Sequence, residues 1–397
     1  KTALVTLIAA SFVVLISLGV RQTFGMFFMD FKDDLGISLT QSGLSIGLQM
    51  LMWGLTGPIF GVIADKYGGP KAISLAFLFF IAGVYFLYAG PNTGIFFQID
   101  LGILVGIGLG GTAISIPMSI VGKHFPLSNR TIAMSIVTAV GSFGYFLSPI
   151  LTEYSLTSNG WQTTLVAFLI ALAIGLIISY FVRSPSLEQT IEKPNTQGTF
   201  DALKEAIGTK SYILLVSGFF VCGFHITLVG THVPTYVIDR GLESWTAAAI
   251  LSLIGLFNIF GSLSSGYLST KMSKKVILSA IYSLRGLSII LFIFLPASNI
   301  NAFIFGASFG FLWLSTVPAT SGIVAHMFGT KYLGLLYGIV FLSHQIGSFF
   351  GAYLGGLFHD LYGSYDYAWY LAIALSVFAA IIHLPIKEQP VLRLRTE

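Results

Sequence analysis

Charge is scarce in this chain. Only 9% of its 397 residues are Asp, Glu, Lys or Arg, against roughly 25% in an ordinary soluble domain. So few charges cannot clothe a water-facing exterior. With 55% apolar residues and a mean hydropathy of +0.86, lipid must be the solvent for much of the surface. Cysteine is almost missing too. Cys222 stands alone, which excludes an intrachain disulfide and a Cys-rich metal site. There is no HExxH string and no Cys/His ligand spacing, so no metal or cofactor is expected. The formal charge of +4 does not point to nucleic acid, because the basic residues lie in short segments between apolar runs.

What is present is a series of twelve such runs, each near the roughly 20 residues that a helix needs to cross hydrocarbon. They span about 4–30, 41–64, 71–90, 98–122, 131–154, 161–182, 211–238, 246–269, 275–296, 301–326, 333–358 and 367–386, numbered here helices 1 to 12. The first is too long for a signal peptide and lacks a small-residue cleavage site, so it reads as a retained helix. An even count puts both termini on one side. If that side is cytoplasmic, its segments hold 16 of the 20 basic residues. The other side holds only Lys32 and Arg240, with Arg21 and Arg285 inside helices. The bias sets the orientation, with both termini cytoplasmic. The Asn129-Arg130-Thr131 sequon then lies out of reach of glycosylation.

The longest polar segment, 184–210, contains Pro185, Pro194, Asn195 and Gly198 and has the composition of a linker. Within it, Phe200 to Ile207 is a candidate short surface helix. The linker divides the chain into six-helix units at 1–183 and 211–397, and these look like repeats. Gly61-Val-Ile-Ala-Asp65-Lys66-Tyr-Gly68-Gly-Pro-Lys71 follows helix 2, and Gly266-Tyr-Leu-Ser-Thr270-Lys271 follows helix 8. Pro117 and Pro318 mark helices 4 and 10, while Gly141-Ser-Phe and Gly347-Ser-Phe mark helices 5 and 11.

The string Gly61-x-x-x-Asp65-Lys66-x-Gly68-x-x-Lys71 resembles the loop 2–3 signature of the major facilitator superfamily. That resemblance implies an all-α membrane protein with twelve transmembrane helices in two pseudo-symmetric six-helix bundles. It also implies a gating role for Asp65, Lys66 and Lys71 in holding the cytoplasmic side closed. Further strings are similar to bacterial members of the monocarboxylate-transporter-like branch: Gly19-Val-Arg21-Gln22-Thr-Phe24-Gly25, Leu256-Phe-Asn258-Ile-Phe-Gly261-Ser262, Tyr282-Ser-Leu-Arg285, Pro318-Ala-Thr320-Ser-Gly322 and Phe341-Leu-Ser-His344-Gln345-Ile-Gly347. The chain departs from that branch where its oxalate and lactate carriers hold an arginine in helix 8, since Ser262 aligns there. Gly102 stands near the place of the helix 4 arginine. Helix 5 lacks the Gly-Pro-rich motif of drug antiporters.

Intramembrane charge is the strongest functional clue. An arginine at a helix centre costs about 2.5–3.5 kcal/mol on insertion scales. Arg21 lies in the outer half of helix 1 and Arg285 near the middle of helix 9, and no acid stands at that depth. The nearest are Asp30, Asp65, Asp100 and Glu153. Two deep cations without resident anions point to a substrate that brings the negative charge, which guanidinium groups bind through paired planar donors. The competing reading is that each arginine bonds backbone carbonyls freed by Gly and Pro. Gln22, Asn258, His225, His344 and Gln345 lie at similar depth and join the candidate substrate-binding set, with Tyr145 and Trp313 as cavity walls. Each taken alone is more often an interhelical hydrogen bond. With no midplane carboxylate, a coupled proton would ride on His225, on His344 or on the substrate acid.

Other patterns dissolve on inspection. Gly43-Leu-Ser45-Ile-Gly47 imitates a nucleophile elbow but falls inside helix 2, where that chemistry has no strand-turn-helix. Gly102, Gly106 and Gly110 are spaced for close helix packing. The expectation is therefore a secondary transporter, not an enzyme, in the inner membrane of a bacterium. It would be a monomer that carries a small mono- or dicarboxylate by alternating access around helices 1, 4, 7 and 10. Efflux of larger amphiphiles such as drugs or siderophores is the alternative.

Overall fold

The computed structural model describes residues 2–91, 93–183, 198–329, 331–391 and 394. Most of the expected linker, 184–197, lies outside the described residues, as do Lys1, Arg393, Arg395 and the side chain of Thr131 from the sequon. Eleven helical stretches are long and apolar enough to cross a membrane: Thr2–Leu35 (α1), Leu39–Tyr67 (α2), Gly69–Ala89 (α3), Gly94–His124 (α4), Ile132–Ser179, Lys210–Asp239 (α7), Ser244–Leu268 (α8), Lys274–Phe294 (α9), Asn299–Phe328 (α10), Leu333–Tyr362 (α11) and Asp366–His383 (α12). The fifth belongs to one unbroken run, Leu127–Ser179. At 1.5 Å per residue that run is about twice the length a bilayer can hold. It turns at Gly160, whose φ of 79° lies where only glycine sits without strain. Its two arms, 127–159 (α5) and 161–179 (α6), bring the crossings to twelve. The surface helix expected near Phe200 is present as Thr199–Ile207.

The helices form two six-helix bundles with matching internal contacts. In the first, α1 packs on α5 and α2 on α4; in the second, α7 packs on α11 and α8 on α10. Glycine permits the closest of these approaches. A side chain at Gly223 would strike the His344 carbonyl, and one at Gly347 the Phe220 carbonyl, so α7 and α11 touch backbone to backbone. Proline breaks the same element in each half. Without an N–H, Pro117 and Pro318 leave α4 open at 113–114 and α10 open at 313–315.

Two seams join the bundles, α2 against α11 and α5 against α8. On the first seam, contacts run from Thr40–Asp360 through Gly43–Ala352, Gly47–Phe349 and Gly54–Gln345 to Trp53–Phe341. On the second they run from Glu153–Ser244 to Ser142–Asn258. They reach from the ends of these helices farthest from the chain termini to about their middles. Continuing the stripe along α2 at helical spacing reaches Gly61 and Asp65, and along α11 it reaches Gly338 and Gly334. There Gly61 meets only Ile116 of its own bundle, and neither Gly334 nor Gly338 has any neighbour within 4 Å of a Cβ. The molecule is thus zipped shut at the distal face and parted at the terminal face.

Candidate functional site

The polar side chains at mid-depth fall into two groups, and the break in α10 explains one of them. Opening the helix ahead of Pro318 frees backbone groups that hydrocarbon cannot satisfy. Arg285 supplies the donors. Its Nε and Nη2 reach the Leu312 carbonyl at 3.2 and 2.7 Å, and Nη2 also reaches the Trp313 carbonyl at 2.5 Å. Its guanidinium lies 5.4 Å from the Tyr282 ring and 5.9 Å from the Phe309 ring, with no exposed surface. Asn258 finishes the repair: its Oδ1 accepts from Leu314 N at 3.1 Å while its Nδ2 donates to Ser142 Oγ at 3.0 Å across the seam. Ser265 Oγ donates to the Ser315 carbonyl at 2.5 Å. Arg285 is therefore oriented on backbone carbonyls, as the competing reading had it, and Asn258 ties α8 to α10 and α5.

The second group surrounds Arg21. The first helix is longer than its apolar run, continuing through a 3₁₀ turn at Phe24–Phe27 to Leu35. Arg21 therefore sits nearer the middle of its helix than the apolar run alone suggests. Its Nη1 donates to Gln22 Oε1 at 3.1 Å, Nη2 lies 3.2 Å from the Met50 sulfur of α2, and the Tyr145 hydroxyl of α5 is close by. From the other bundle, Gly230 of α7 brings the Trp313 ring and the Gln22 amide to within 4 Å of where a Cβ would stand. The residues named here come from α1, α2, α5, α7 and α10, and α4 also packs against α1. Met50 and Gly230 carried no polar or periodic signal that could have singled them out, whereas Ser142 stands in the repeated Gly-Ser-Phe string.

Electrostatically this group is one-sided. Arg21 is 7% exposed and Gln22 2%. Gln22 gives its oxygen to Arg21, so its Nε2 is left without a partner, as is Arg21 Nε. On α11, Gln345 turns its oxygen to His344 Nδ1 at 3.2 Å and likewise leaves Nε2 unpaired. Arg285 Nη1 is also unpaired. These four unpaired atoms are donors, while Gln49 Oε1 on α2 is a buried acceptor without a partner, and a buried donor without an acceptor is unfavourable by about 1–3 kcal/mol. A ligand that offers several oxygens would relieve that.

The histidines separate. His344 stacks on Phe341 at 5.7 Å and stays beside Gln345 at the seam. His225 points instead to α12, bonding the Ala372 carbonyl at 2.8 Å, away from Arg21's neighbours. The gating candidates lie at the terminal face. Asp65 bonds Lys123 of its own bundle at 2.6 Å with both side chains exposed, Lys66 lies over the Tyr67 ring at 5.2 Å, and Lys71 is exposed in the first turn of α3.

Comparison with known proteins fits this architecture. Residues 10–317 match the family model described as Major Facilitator Superfamily. An uncharacterized MFS-type transporter, YcxA of Bacillus subtilis, is 25% identical over 374 residues, covering 92% of this chain and 90% of its own. The agnestins efflux protein AgnL12 of Paecilomyces divaricatus is 22% identical, with 97% and 88% covered. The oxalate:formate antiporter of Oxalobacter formigenes is 22% identical, with 92% and 85% covered. Among solved structures, a bacterial homolog to the human lysosomal transporter Spinster, inward-facing and unoccupied, superposes with a TM-score of 0.79. It is 17% identical, with 96% of each chain covered. With a match that spans most of its length and a fold of twelve crossings in two bundles, this chain belongs to the Major Facilitator Superfamily.

Proposed function

We propose that this transporter carries a small organic monoanion, bound at Arg21 between the two bundles. The observation that carries the reading is the one-sided set of unpaired donors, Arg21 Nε, Gln22 Nε2 and Gln345 Nε2, beside a guanidinium with no acid partner among the described residues. Because Arg285 already serves the α10 carbonyls, the site offers one full charge and two neutral amides. That favours a monocarboxylate bearing a keto or hydroxy oxygen over a dicarboxylate. Tyr145 and Trp313 would close round its apolar part. A coupled proton would arrive on His344 or on the acid itself, since His225 faces α12.

In the same proposal both termini are cytoplasmic, the membrane is the inner membrane of a bacterium, and the working unit is a monomer. The division at 184–210 then lets 1–183 rock against 211–397. The parted terminal face makes this the inward-open state, and Asp65, Lys66 and Lys71 act when that face closes.

One feature favours the efflux alternative. A cleft of about 440 Å³ opens between α5 and α8, lined by Phe146, Ile150, Trp245, Leu253 and Phe303 with Glu153 at its edge, which suits an amphiphile. Thermal shift of the purified protein separates the two readings, because a ligand that binds the folded state raises its melting point. Stabilisation by keto or hydroxy monocarboxylates, lost in Arg21→Met and retained in Phe303→Ala, is the expected result. Stabilisation by neutral or cationic amphiphiles alone, unchanged in Arg21→Met, would overturn the anion reading.

A further inference from the structure

The string Gly-x-x-x-Asp-x-Tyr-Gly occurs twice, as Gly61 to Gly68 at the end of α2 and as Gly356 to Gly363 at the end of α11. These helices run antiparallel along one seam, so each Asp stands at the end of its helix that is level with the first turn of the other. At the distal face the meeting has taken place. The Asp360 carboxylate accepts from Thr40 N at 2.7 Å and from Thr40 Oγ1 at 2.6 Å. The first turn of a helix has donors without intrahelical partners. In α2, Ser38 accepts from the Gln41 amide and Gln41 returns a bond to Ser38 N. That leaves the Leu39 and Thr40 amides of the first turn, and a carboxylate from the other bundle takes the second. Gly356, one turn before Asp360, lets the backbones close: a Cβ there would strike Leu39. The neighbouring His359 is taken by Asp239 at 3.0 Å, so Asp360 alone reaches across.

We infer that Asp360 is a distal lock, a carboxylate of the second bundle that caps the N-terminus of α2 and holds the distal face closed. It must be released before that face opens. Glycine and aspartate divide the task within the string, the first allowing backbone contact and the second adding a charge-assisted bond to the positive end of the partner helix. In the α2 copy, Gly61 and Asp65 have only Ile116 and Lys123 of their own bundle, as the parted terminal face requires.

The test is a pair of spin-label distance measurements on the full chain in nanodiscs, in a Cys222→Ser background. One pair, at Lys32 and Tyr367, reads the distal face; the other, at Lys71 and Lys271, reads the terminal face. Asp360→Ala should move population from short to long distal distances and from long to short terminal ones, changing the ratio roughly three- to ten-fold. Asp360→Asn should move it less, and Thr40→Val, which keeps the amide bond, less again. Unchanged distances in Asp360→Ala, or a tighter distal face, would overturn the lock. If Asp360→Ala does not fold, absence of a shift in both Asp360→Asn and Thr40→Val overturns it equally.

Discussion

Replacing each deep arginine with methionine should move stability in opposite directions, because the two are held so differently. Arg285→Met leaves the Leu312 and Trp313 carbonyls without their donor, at about 1–3 kcal/mol each. It also removes two cation–π contacts, to Tyr282 and Phe309, together about 1–2 kcal/mol. Against this stands relief of the roughly 2.5–3.5 kcal/mol needed to keep an arginine at mid-membrane. The balance destabilises by about 2 kcal/mol. Arg21→Met gains the same relief but loses only one good hydrogen bond, to Gln22, and a weak one to the Met50 sulfur, together about 1–1.5 kcal/mol. That variant should be more stable than the parent by about 1–2 kcal/mol while no longer responding to carboxylates. Reversible unfolding in mixed micelles, followed by circular dichroism, measures both. If the two variants shift in the same direction, or Arg21→Met is the less stable of the pair, the division between a structural and a ligand-facing arginine is wrong.

Three further outcomes follow from the geometry. Gly338→Leu should leave stability in this conformation unchanged, since nothing lies within 4 Å of its Cβ. Proteoliposome uptake should nevertheless fall several-fold, because the terminal seam can no longer close flush. Gly261→Ala should destabilise by about 1–3 kcal/mol, readable in the same unfolding assay, because its methyl would press on the Phe311 carbonyl and sit 2.8 Å from Ser315 Oγ. The tail after α12 straps the terminal face: Lys387 N donates to Ser211, Val391 N to the Met327 carbonyl, and Glu388 accepts from Ser273 Oγ and Lys275 N at the start of α9. Burial alone would raise the Glu388 pKa, yet hydrogen bonds from Lys275, Ser273 and Lys274 bring it below its ordinary value. A lowered carboxylate pKa stabilises above the ordinary value, about 4.3, and that stabilisation is lost as pH falls through the lowered one. Hydrogen exchange at Lys387–Val391, corrected for intrinsic rates, should therefore stay constant from pH 8 to about 5 and rise only in stronger acid. Glu388→Gln should raise it at neutral pH.

Most of the fold was legible in the sequence, because lipid imposes one length and one composition on every crossing. The ends of all twelve runs fall within five residues of the helix ends, and even the turn at Gly160 lies in the gap left between 131–154 and 161–182. The site was less legible. Arg21 and Gln22 stand out in any reading as polar groups in an apolar run, and they do lie together against the second bundle. The direction of Arg285 could not be read, because it depends on α10 opening at 313–315 and on which helix passes beside the gap. His225 and His232 share a face of α7, yet one turns to α12 and the other bonds the Ala352 carbonyl of α11 at 2.6 Å, since a helix face this buried has neighbours on every side. Asp360, near a helix end, resembles any solvated acid, and only the repeated Gly-x-x-x-Asp-x-Tyr-Gly string marks it in the sequence.

The repair of α10 changes what its break can do. A gap in a membrane helix is ordinarily taken for a joint, but here Arg285 from α9 and Asn258 and Ser265 from α8 hold it. It is a weld. In α4, among the described residues, the matching break is flanked by backbone bonds of its own, Ala113 N to the Leu109 carbonyl and Met118 N to the Ile114 carbonyl, with no side chain bonded across it. The two pseudo-symmetric halves are therefore braced unequally: if the bundles rock against each other as proposed, the second should move as the stiffer lever and bending should concentrate in the first.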